Sequence, residues 1–249
     1  MKLFIAGTAG DEKLLKKCTP LYVLESFYYF KPWQTYILQN CRDFLLDSGA
    51  FTFINNNKGR VNFNEYVDKY IKFINEHDIK HFFELDIDAV LGYQEVLQIR
   101  KKIEQQTKKK CIPVWHRSRG KEDFKRMCQE YSYVALGGLA IKEIKPKEYD
   151  YLYWFTDYAH KNNCKIHGLG FTGQNAIKYN FDTVDSTSWL QARRFGELSK
   201  FDGEKMIRLK VDKKTKKGKP EILEFNLKEW IKYQKYLSSL SVYNKTMRR

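Results

Sequence analysis

The segment His81–His116 reads HFFELDIDAVLGYQEVLQIRKKIEQQTKKKCIPVWH, and it contains two short apolar runs on either side of an amphipathic stretch. The first run, His81–Asp88, carries carboxylates at alternate positions near its end, and the second, Cys111–His116, ends in a histidine. Between them, Tyr93–Gln106 places apolar residues at helical spacing. The segment therefore predicts a strand, a helix and a second, parallel strand.

The same alternation continues on both sides of this segment. The other candidate strands are Lys2–Ala6, Phe44–Phe51, Tyr133–Ala140, Lys165–Phe171, Thr183–Thr187 and Met206–Val211, and the other candidate helices are Phe63–Ile74, Glu122–Glu130, Tyr149–Asn162 and Leu227–Leu240. Alternation of this kind favours an α/β protein with a single (β/α)8 TIM-type barrel, and a doubly wound sheet is the alternative. We expect one domain over residues 1–249, with a basic loop near Lys213–Lys219 and a C-terminal helix.

Composition limits the class of partner. The chain has 249 residues, a formal net charge of +15 and a pI near 9.4, which favour a polyanionic partner such as a nucleic acid. A solvated lysine-rich surface is the competing interpretation. The five cysteines form no C-x-x-C pair, and no apolar run reaches the ~20 residues of a membrane span. We expect a reduced, soluble, cytoplasmic protein without a membrane partner.

Polar residues follow several of the predicted strands. Asp47, Asp86 and Asp185 each come at the end of an apolar run, where the loops of a barrel build its active site. One such aspartate is readily a helix cap, but three at corresponding strand ends predict an acidic pocket. His116 and His167 also lie at strand ends, without the H-x-x-x-H or H-x-H spacing of a metal site. We therefore expect no bound metal.

Six segments, in this order, resemble the tRNA-guanine transglycosylase superfamily, and most of all its short phage-type members tied to deazaguanine insertion into DNA. They are LLDSGAF (Leu45–Phe51), ELDID (Glu84–Asp88), IPVWH (Ile112–His116), ALGGLA (Ala135–Ala140), HGLGFT (His167–Thr172) and VDSTSW (Val184–Trp189). The resemblance implies a (β/α)8 barrel that exchanges a base in a nucleic acid through a covalent aspartyl-glycosyl intermediate. It implies no redox cofactor or other cofactor.

The resemblance also implies roles for single residues. Asp185 is similar to the nucleophile, Asp47 to the general acid/base, and Asp86 to the aspartate that reads the N–H edge of the purine, with Asp88 or Glu84 as substitutes. The remaining base-binding positions implied by the match are His116, Gly137, Gly138, Leu139, Leu169 and Gly170.

Three departures from the family leave alternatives open. No cysteine follows Cys164 and no histidine follows His167, so we expect the zinc-binding insertion of the tRNA enzymes to be absent. His116 stands where those enzymes commonly carry a glutamine. Asp182 also matches a family aspartate if the register lies three residues earlier; the continued match after Asp185 favours Asp185.

Residues around the predicted pocket suggest how a nucleic acid would bind. The arginines expected to hold phosphates are Arg117, Arg119, Arg193 and Arg194. Tyr93, Trp115 and Phe171 either sandwich a flipped base or pack at the rim. We predict a transglycosylase that replaces guanine in DNA with a 7-deazaguanine such as 7-cyano-7-deazaguanine. The alternatives are a tRNA-guanine transglycosylase, an N-glycosidase and a non-catalytic nucleic-acid-binding barrel.

Overall fold

The computed structural model describes residues 1–50, 52, 62–171, 176–191, 197–209 and 220–246. The strands in these ranges are β1 (Lys2–Ala6), β2 (Tyr22–Ser26), β3 (Asp43–Asp47), β4 (Val114–Trp115), β5 (Tyr133–Leu136), β6 (Lys165–Gly168), β7 (Thr183–Ser186), β8 (Leu198–Phe201) and β9 (Met206–Leu209). The helices are α1 (Glu12–Lys17), α2 (Thr35–Asn40), α3 (Phe63–Glu76), α4 (Asp88–Leu91), α5 (Tyr93–Thr107), α6 (Gly120–Glu130), α7 (Tyr151–Lys161) and α8 (Pro220–Thr246).

Seven of these strands form one parallel sheet, in the order β3-β2-β1-β7-β6-β5-β4. The register aligns Phe4 with Asp185 between β1 and β7, and Trp115 with Leu136 between β4 and β5. The strands are short and mostly buried, because helices follow most of them along the chain and cover their side chains. The predicted α/β class is confirmed.

Two strand predictions were wrong in ways that the structure explains. Tyr22–Ser26 is a strand of the parallel sheet that the sequence pattern missed, because Glu25 interrupts its apolar run, although this side chain is buried. Met206–Val211 was expected to be the last strand of the parallel sheet. Its described part is β9, which pairs antiparallel with β8 in a separate two-stranded sheet, with Ser199 opposite Arg208.

The segment predicted as the strand His81–Asp88 pairs at two points only. Leu46 bridges to Phe82 and Phe83 bridges to Ile112, both in parallel orientation. Beyond Phe83 the side chains of Glu84, Asp86 and Asp88 form hydrogen bonds with Arg119 or His116, and α4 begins at Asp88. This short paired stretch places the residues that follow it between the ends of β3 and β4.

The helix predictions were largely confirmed. The side chain of Asn62 accepts a hydrogen bond from the Glu65 amide (3.2 Å), so α3 is capped where its apolar periodicity begins. The closing helix is longer than the predicted Leu227–Leu240. No described helix is long and apolar enough to cross a membrane. The predicted basic loop Lys213–Lys219 lies outside the described residues.

The chain divides into two compact units. The first unit is Met1–Leu24, Lys31–Asp43 and Gly168–Arg249, and the second is Glu25–Phe30 and Phe44–His167. The sequence predicted a single domain, because no change of composition marks these boundaries.

Candidate active site

In the second unit, polar residues and glycines follow the ends of β3, β4 and β5 and the bridged segment Phe82–Phe83. The bridges Leu46–Phe82 and Phe83–Ile112 and the pairing of Trp115 with Leu136 place neighbouring segments side by side. The polar residues that follow these paired positions are Asp47, Glu84, Asp86 and His116, and the glycines Gly137 and Gly138 follow β5. Since carboxyl ends of parallel strands meet at one edge, residues far apart in sequence are collected there.

Asp86 and His116 form a hydrogen-bonded pair at this edge. The Asp86 Oδ2 atom lies 2.8 Å from His116 Nε2, and the two side chains are 16% and 19% exposed. Burial raises the pKa of Asp86, and the hydrogen bond with His116 opposes this. Burial lowers the pKa of His116, but the hydrogen bond and charge of Asp86 outweigh it, so the net effect is a raised pKa. The pKa values of both side chains are therefore raised, which favours protonation of the pair.

The glycines of the GGL segment accommodate the side chains beside them. A Cβ atom on Gly137 would lie 2.6 Å from His116 Cε1 and 3.0 Å from the Trp115 carbonyl oxygen, so a larger residue would displace the histidine ring. Gly138 has a φ of +79°, and a Cβ atom there would lie 2.7 Å from Glu143 Oε2. Glu143 Oε2 is also 3.7 Å from His116 Nδ1. The backbone contacts to a base predicted for Gly137, Gly138 and the buried Leu139 stay predictions.

Glu143 belongs to this group, although the sequence analysis did not select it. It lies outside the predicted strand, in a polar stretch that resembles an ordinary loop. Its position could have indicated a place in the site, because Glu143 lies five residues after Gly138 in a loop that follows a candidate site strand. Gly138 and Lys142 have positive φ values of +79° and +60° in the turn that brings Glu143 close to the glycine.

Four charged side chains behind the pair form what we call the charged cluster: Glu84, Asp88, Arg100 and Arg119. Arg119 donates from Nε and Nη2 to the two oxygens of Asp88, at 2.6 Å each, and from Nη1 to Glu84 Oε1 at 2.6 Å. Arg100 Nε donates to the other oxygen of Glu84, at 2.7 Å. The side chains of Glu84 and Arg119 are 0% and 1% exposed. These ions are thus taken out of water and paired with one another.

The charged cluster changes two of the predicted assignments. Arg119 was expected to hold a phosphate, but its guanidinium is buried and three of its nitrogens donate to carboxylates. We therefore remove Arg119 from the proposed phosphate contacts. Asp88 was expected as a base-binding residue, and both of its carboxylate oxygens accept from Arg119. The sequence shows only that these residues are polar and near strand ends, which does not reveal that they pair.

The aromatic residues proposed to sandwich a base are packed within the protein. Tyr93 lies over the Arg119 guanidinium, 4.4 Å from its carbon, and donates to Asp123 at 2.7 Å. Trp115 is buried and donates to the Gly120 carbonyl at 2.7 Å. Phe171, in the first unit, is buried against two aromatic rings. Of the two interpretations left open above, the contacts favour packing.

Asp47 lies at the end of β3, beside the partly buried Tyr66 and the buried Tyr70 of α3. Its Oδ2 atom accepts from the Gly49 amide at 3.1 Å, and the Tyr66 hydroxyl donates to the Ser48 carbonyl at 2.6 Å. Burial raises the pKa of Tyr70 well above its usual range, and the charges of Asp47 and Asp86 raise it further. Both carboxylates therefore act on the same buried hydroxyl. The helical periodicity of α3 predicted these tyrosines as core residues and gave no sign of this effect.

Asp185 belongs to the first unit, whereas Asp47 and Asp86 belong to the second. Its side chain is 8% exposed, and Oδ1 accepts from the Gly170 amide at 2.7 Å. Gly170 has a φ of +64°, a conformation that few other residues adopt, and Leu169 before it is partly exposed. The predicted pocket residues Leu169 and Gly170 thus lie in the turn that holds the Asp185 carboxylate.

Asp182 occupies the other end of the same strand. Its carbonyl accepts from the Lys2 amide at 2.8 Å, just before β7 begins at Thr183. Asp185 lies three residues further on, towards the carboxyl end where active sites of α/β barrels are built. Asp182 therefore lies before the first residue of β7, whereas Asp185 lies near its carboxyl end.

The other predicted phosphate contacts are at the surface or outside the described residues. The Arg117 side chain is 50% exposed and pairs with Glu148 at 2.8 Å. Arg193 and Arg194 lie outside the described residues. Among the residues that the structure does describe, no group of three or more histidine, cysteine or carboxylate side chains is arranged to hold a metal ion.

No family model matches the chain, and no curated protein is similar to it. The aldolase QR15 is similar in structure, with 14% identity and a TM-score of 0.48 over 76% of this chain and 90% of that one. The carboxyl transferase domain of Rhizobium etli pyruvate carboxylase with 3-bromopyruvate has 14% identity and a TM-score of 0.42 over 74% of this chain. This chain spans 39% of that protein's length.

Proposed function

We propose that the chain is a base-exchange transglycosylase that replaces guanine in DNA with a 7-deazaguanine base, such as 7-cyano-7-deazaguanine. The observation that carries the proposal is the Asp185 carboxylate, which is buried near the carboxyl end of β7 with one oxygen held by the Gly170 amide. The amide hydrogen bond restrains the orientation of this carboxylate in the turn formed by Leu169 and Gly170. The six segments that resemble the transglycosylase superfamily supply the reaction class.

The proposed reaction needs a nucleophile that can later leave. In the first step, an Asp185 oxygen forms a bond to C1′ of the sugar while the bond from C1′ to the guanine nitrogen breaks. The leaving guanine takes a proton, which we assign to Asp47 as general acid. In the second step the incoming base gives its proton to Asp47 and attacks C1′, which releases Asp185 as a carboxylate. The nucleic-acid strand stays unbroken throughout.

Asp86 and His116 are proposed to bind the base. If His116 Nε2 donates to Asp86 Oδ2, the Asp86 Oδ1 atom remains to accept from the N–H edge of a guanine-like ring. A site that accepts these hydrogen bonds discriminates strongly against bases that lack the donors, because its own buried groups would then be left unpaired. Charge-assisted hydrogen bonds of this kind are stronger than neutral ones.

The finer features of the fold are part of the proposal. We propose that Phe82–Phe83 occupies an eighth strand position between β3 and β4, which would close a (β/α)8 barrel. The two bridges of this stretch support the proposal. We also propose that the zinc-binding insertion of the tRNA enzymes is absent. The net charge of +15 supports a nucleic-acid partner, and the missing zinc elements favour DNA over tRNA.

The test is exchange of a labelled 7-deazaguanine into nucleic acid. Purified protein is incubated with the labelled base and either duplex DNA or tRNA, and the nucleosides are identified by mass spectrometry. We expect incorporation into DNA by the wild type and none by Asp185→Asn. Asp182→Asn serves as the matched control, since it alters an aspartate at the opposite end of β7, and it should remain active.

Each other outcome has a defined meaning. Incorporation into tRNA alone would identify the RNA-specific alternative, and release of free guanine without incorporation would identify an N-glycosidase. An active Asp185→Asn with an inactive Asp182→Asn would show that the register is wrong by three residues. Binding of DNA without exchange or release would leave a non-catalytic barrel.

A further inference from the structure

The turn that follows β4 places the side chains of His116 and Arg119 against the segment Glu84–Asp88. Arg117–Arg119 forms a 3-10 turn, closed by the Arg119 amide donating to the His116 carbonyl at 3.0 Å. Because a 3-10 turn has about three residues, side chains three apart point to the same side. His116 and Arg119 therefore project together, and both contact the segment Glu84–Asp88.

The contacts alternate along that segment. Arg119 holds Glu84 and Asp88, and His116 holds Asp86 between them. Asp86 is therefore flanked, two residues away on each side, by carboxylates bound to one guanidinium. The planar fork of arginine can bind two carboxylates at once with fixed geometry, which an ammonium group cannot do.

A second layer anchors the turn and the segment to the rest of the second unit. Glu84 Oε1 accepts from the Val114 amide at 2.6 Å, and Glu84 Oε2 accepts from Arg100 on α5. The Tyr93 ring covers the Arg119 guanidinium. These contacts limit the ways in which the Arg119 side chain can move, so its position is transmitted to both carboxylates.

We propose that Arg119 is a positioning residue, whose fork holds Glu84 and Asp88 so that the Asp86 carboxylate meets His116 in one orientation. The base-binding role of that pair rests on the function proposed above, but the positioning itself does not. Without the fork, Asp86 would sample other orientations, and its free oxygen would no longer be directed at one donor.

A conservative substitution separates positioning from charge. The charged or titratable side chains that face His116 are Asp86, Asp88, Glu143 and Arg119. Asp86 raises the pKa of His116, whereas the charge of Arg119 lowers it. Arg119→Lys keeps the positive charge and loses the fork, so a change in the His116 pKa reports orientation of Asp86 rather than charge.

The first experiment follows the His116 ring by NMR titration in the full chain. For Arg119→Lys we expect the His116 pKa to fall towards its ordinary value, because the hydrogen bond to Asp86 is weakened. The matched control is Arg208→Lys, at an exposed arginine of β9 in the first unit, which should titrate like the wild type. An unchanged or raised pKa in folded Arg119→Lys would overturn the proposal.

The second experiment measures binding of free 7-cyano-7-deazaguanine by calorimetry. We expect Arg119→Lys to weaken binding about tenfold, the size of one charge-assisted hydrogen bond. The loss should vanish in a His116→Asn background, because the substitution acts through the Asp86–His116 pair. Equal losses in both backgrounds would indicate a general structural role and overturn the proposal.

A further variant covers the case in which Arg119→Lys does not fold. Asp88→Asn keeps the Arg119–Glu84 contact and removes the negative charge that Arg119 binds at Asp88. We expect this variant also to weaken binding of 7-cyano-7-deazaguanine, and the loss to vanish in the His116→Asn background. If the wild type binds no guanine-like base, the proposed function fails at Asp86, whereas the NMR titration still decides whether Arg119 positions that residue.

Discussion

Each of the two compact units contains a group of buried polar side chains, and the two groups differ in charge. In the first unit, α8 buries two neutral amides, Asn226 and Gln234, which we call the amide cluster. In the second unit, the charged cluster of Glu84, Asp88, Arg100 and Arg119 lies behind the Asp86–His116 pair. The amide cluster binds backbone groups, whereas the charged side chains bind mainly one another, apart from the hydrogen bond that Glu84 accepts from the Val114 amide.

Each amide of the first unit satisfies backbone groups that would otherwise be unpaired. Gln234 accepts from the Leu21 amide at 2.7 Å and donates to the carbonyls of Leu3 and Tyr22 at 2.7 and 2.8 Å. It thereby ties α8 to the beginnings of β1 and β2. A neutral amide costs far less free energy to desolvate than an ion, so these hydrogen bonds stabilise the fold with a small desolvation penalty.

The charged cluster is a different solution with a different consequence. Desolvating an ion pair offsets most of its attraction, so buried pairs add little net stability, yet removing one partner is strongly destabilising. Such an arrangement fixes the positions of its side chains but adds little to the free energy of unfolding. We infer that fixed side-chain positions matter beside Asp86 and His116 and are not needed beneath α8.

The largest effect should come from removing a charge from the charged cluster. Glu84→Gln keeps the shape of the side chain but leaves Arg100 and Arg119 without a shared anion, and we expect a loss of about 3–5 kcal/mol in unfolding free energy. Urea unfolding checks this, with Glu122→Gln at an exposed position of α6 as the control. A loss below about 1 kcal/mol would mean that the cluster is not tightly coupled.

A smaller effect is expected from the amide cluster. Gln234→Leu fills a similar volume but leaves one amide and two carbonyl groups of the backbone without their partner. Since each orphaned buried group costs about 1–3 kcal/mol before relaxation, we expect a net loss of about 2–3 kcal/mol. The matched control is Gln129→Leu on the exposed side of α6, which should unfold like the wild type. If both variants unfold alike, the amides are dispensable.

The pH dependence of stability should distinguish the Asp86–His116 pair from the amide cluster. His116 has a raised pKa in the folded protein, so its contribution to stability is present below the ordinary histidine value of about 6.5 and is lost as pH rises through the raised value. Between pH 6 and 8, the urea midpoint of the wild type should fall more than that of His116→Gln. Gln234→Leu should keep the wild-type slope. Parallel slopes for the wild type and His116→Gln would contradict this assignment.

The smallest effect concerns the exposed neighbour of the charged cluster. Arg117→Ala removes an arginine that is half exposed, so folding should be unchanged while DNA binding weakens. Log affinity should fall linearly with log salt, and the variant should lose about one unit of that slope. Substituting the lysines of Lys213–Lys219 instead tests the competing interpretation. If only those substitutions flatten the slope, the phosphates bind elsewhere than at Arg117.

Much of the fold and part of the site could be predicted because they depend on local patterns. The apolar run of β7 and the periodicity of α3 are visible in a few neighbouring residues, and Asp47, Asp86 and Asp185 stand out as carboxylates at the ends of such runs. Local patterns failed at β2, where the buried Glu25 interrupts the run. They failed again at β9, because an apolar run does not state which strand it pairs with.

The partners of the charged side chains lie beyond the reach of any local pattern. Arg119 is 31 residues from Asp88 and 35 from Glu84, and Gln234 is 231 from Leu3. A sequence states that a residue can ionise or donate, which is a property of the side chain alone. Whether Arg119 meets a phosphate or a carboxylate depends on which strand ends are brought together, and only the packed chain sets those distances.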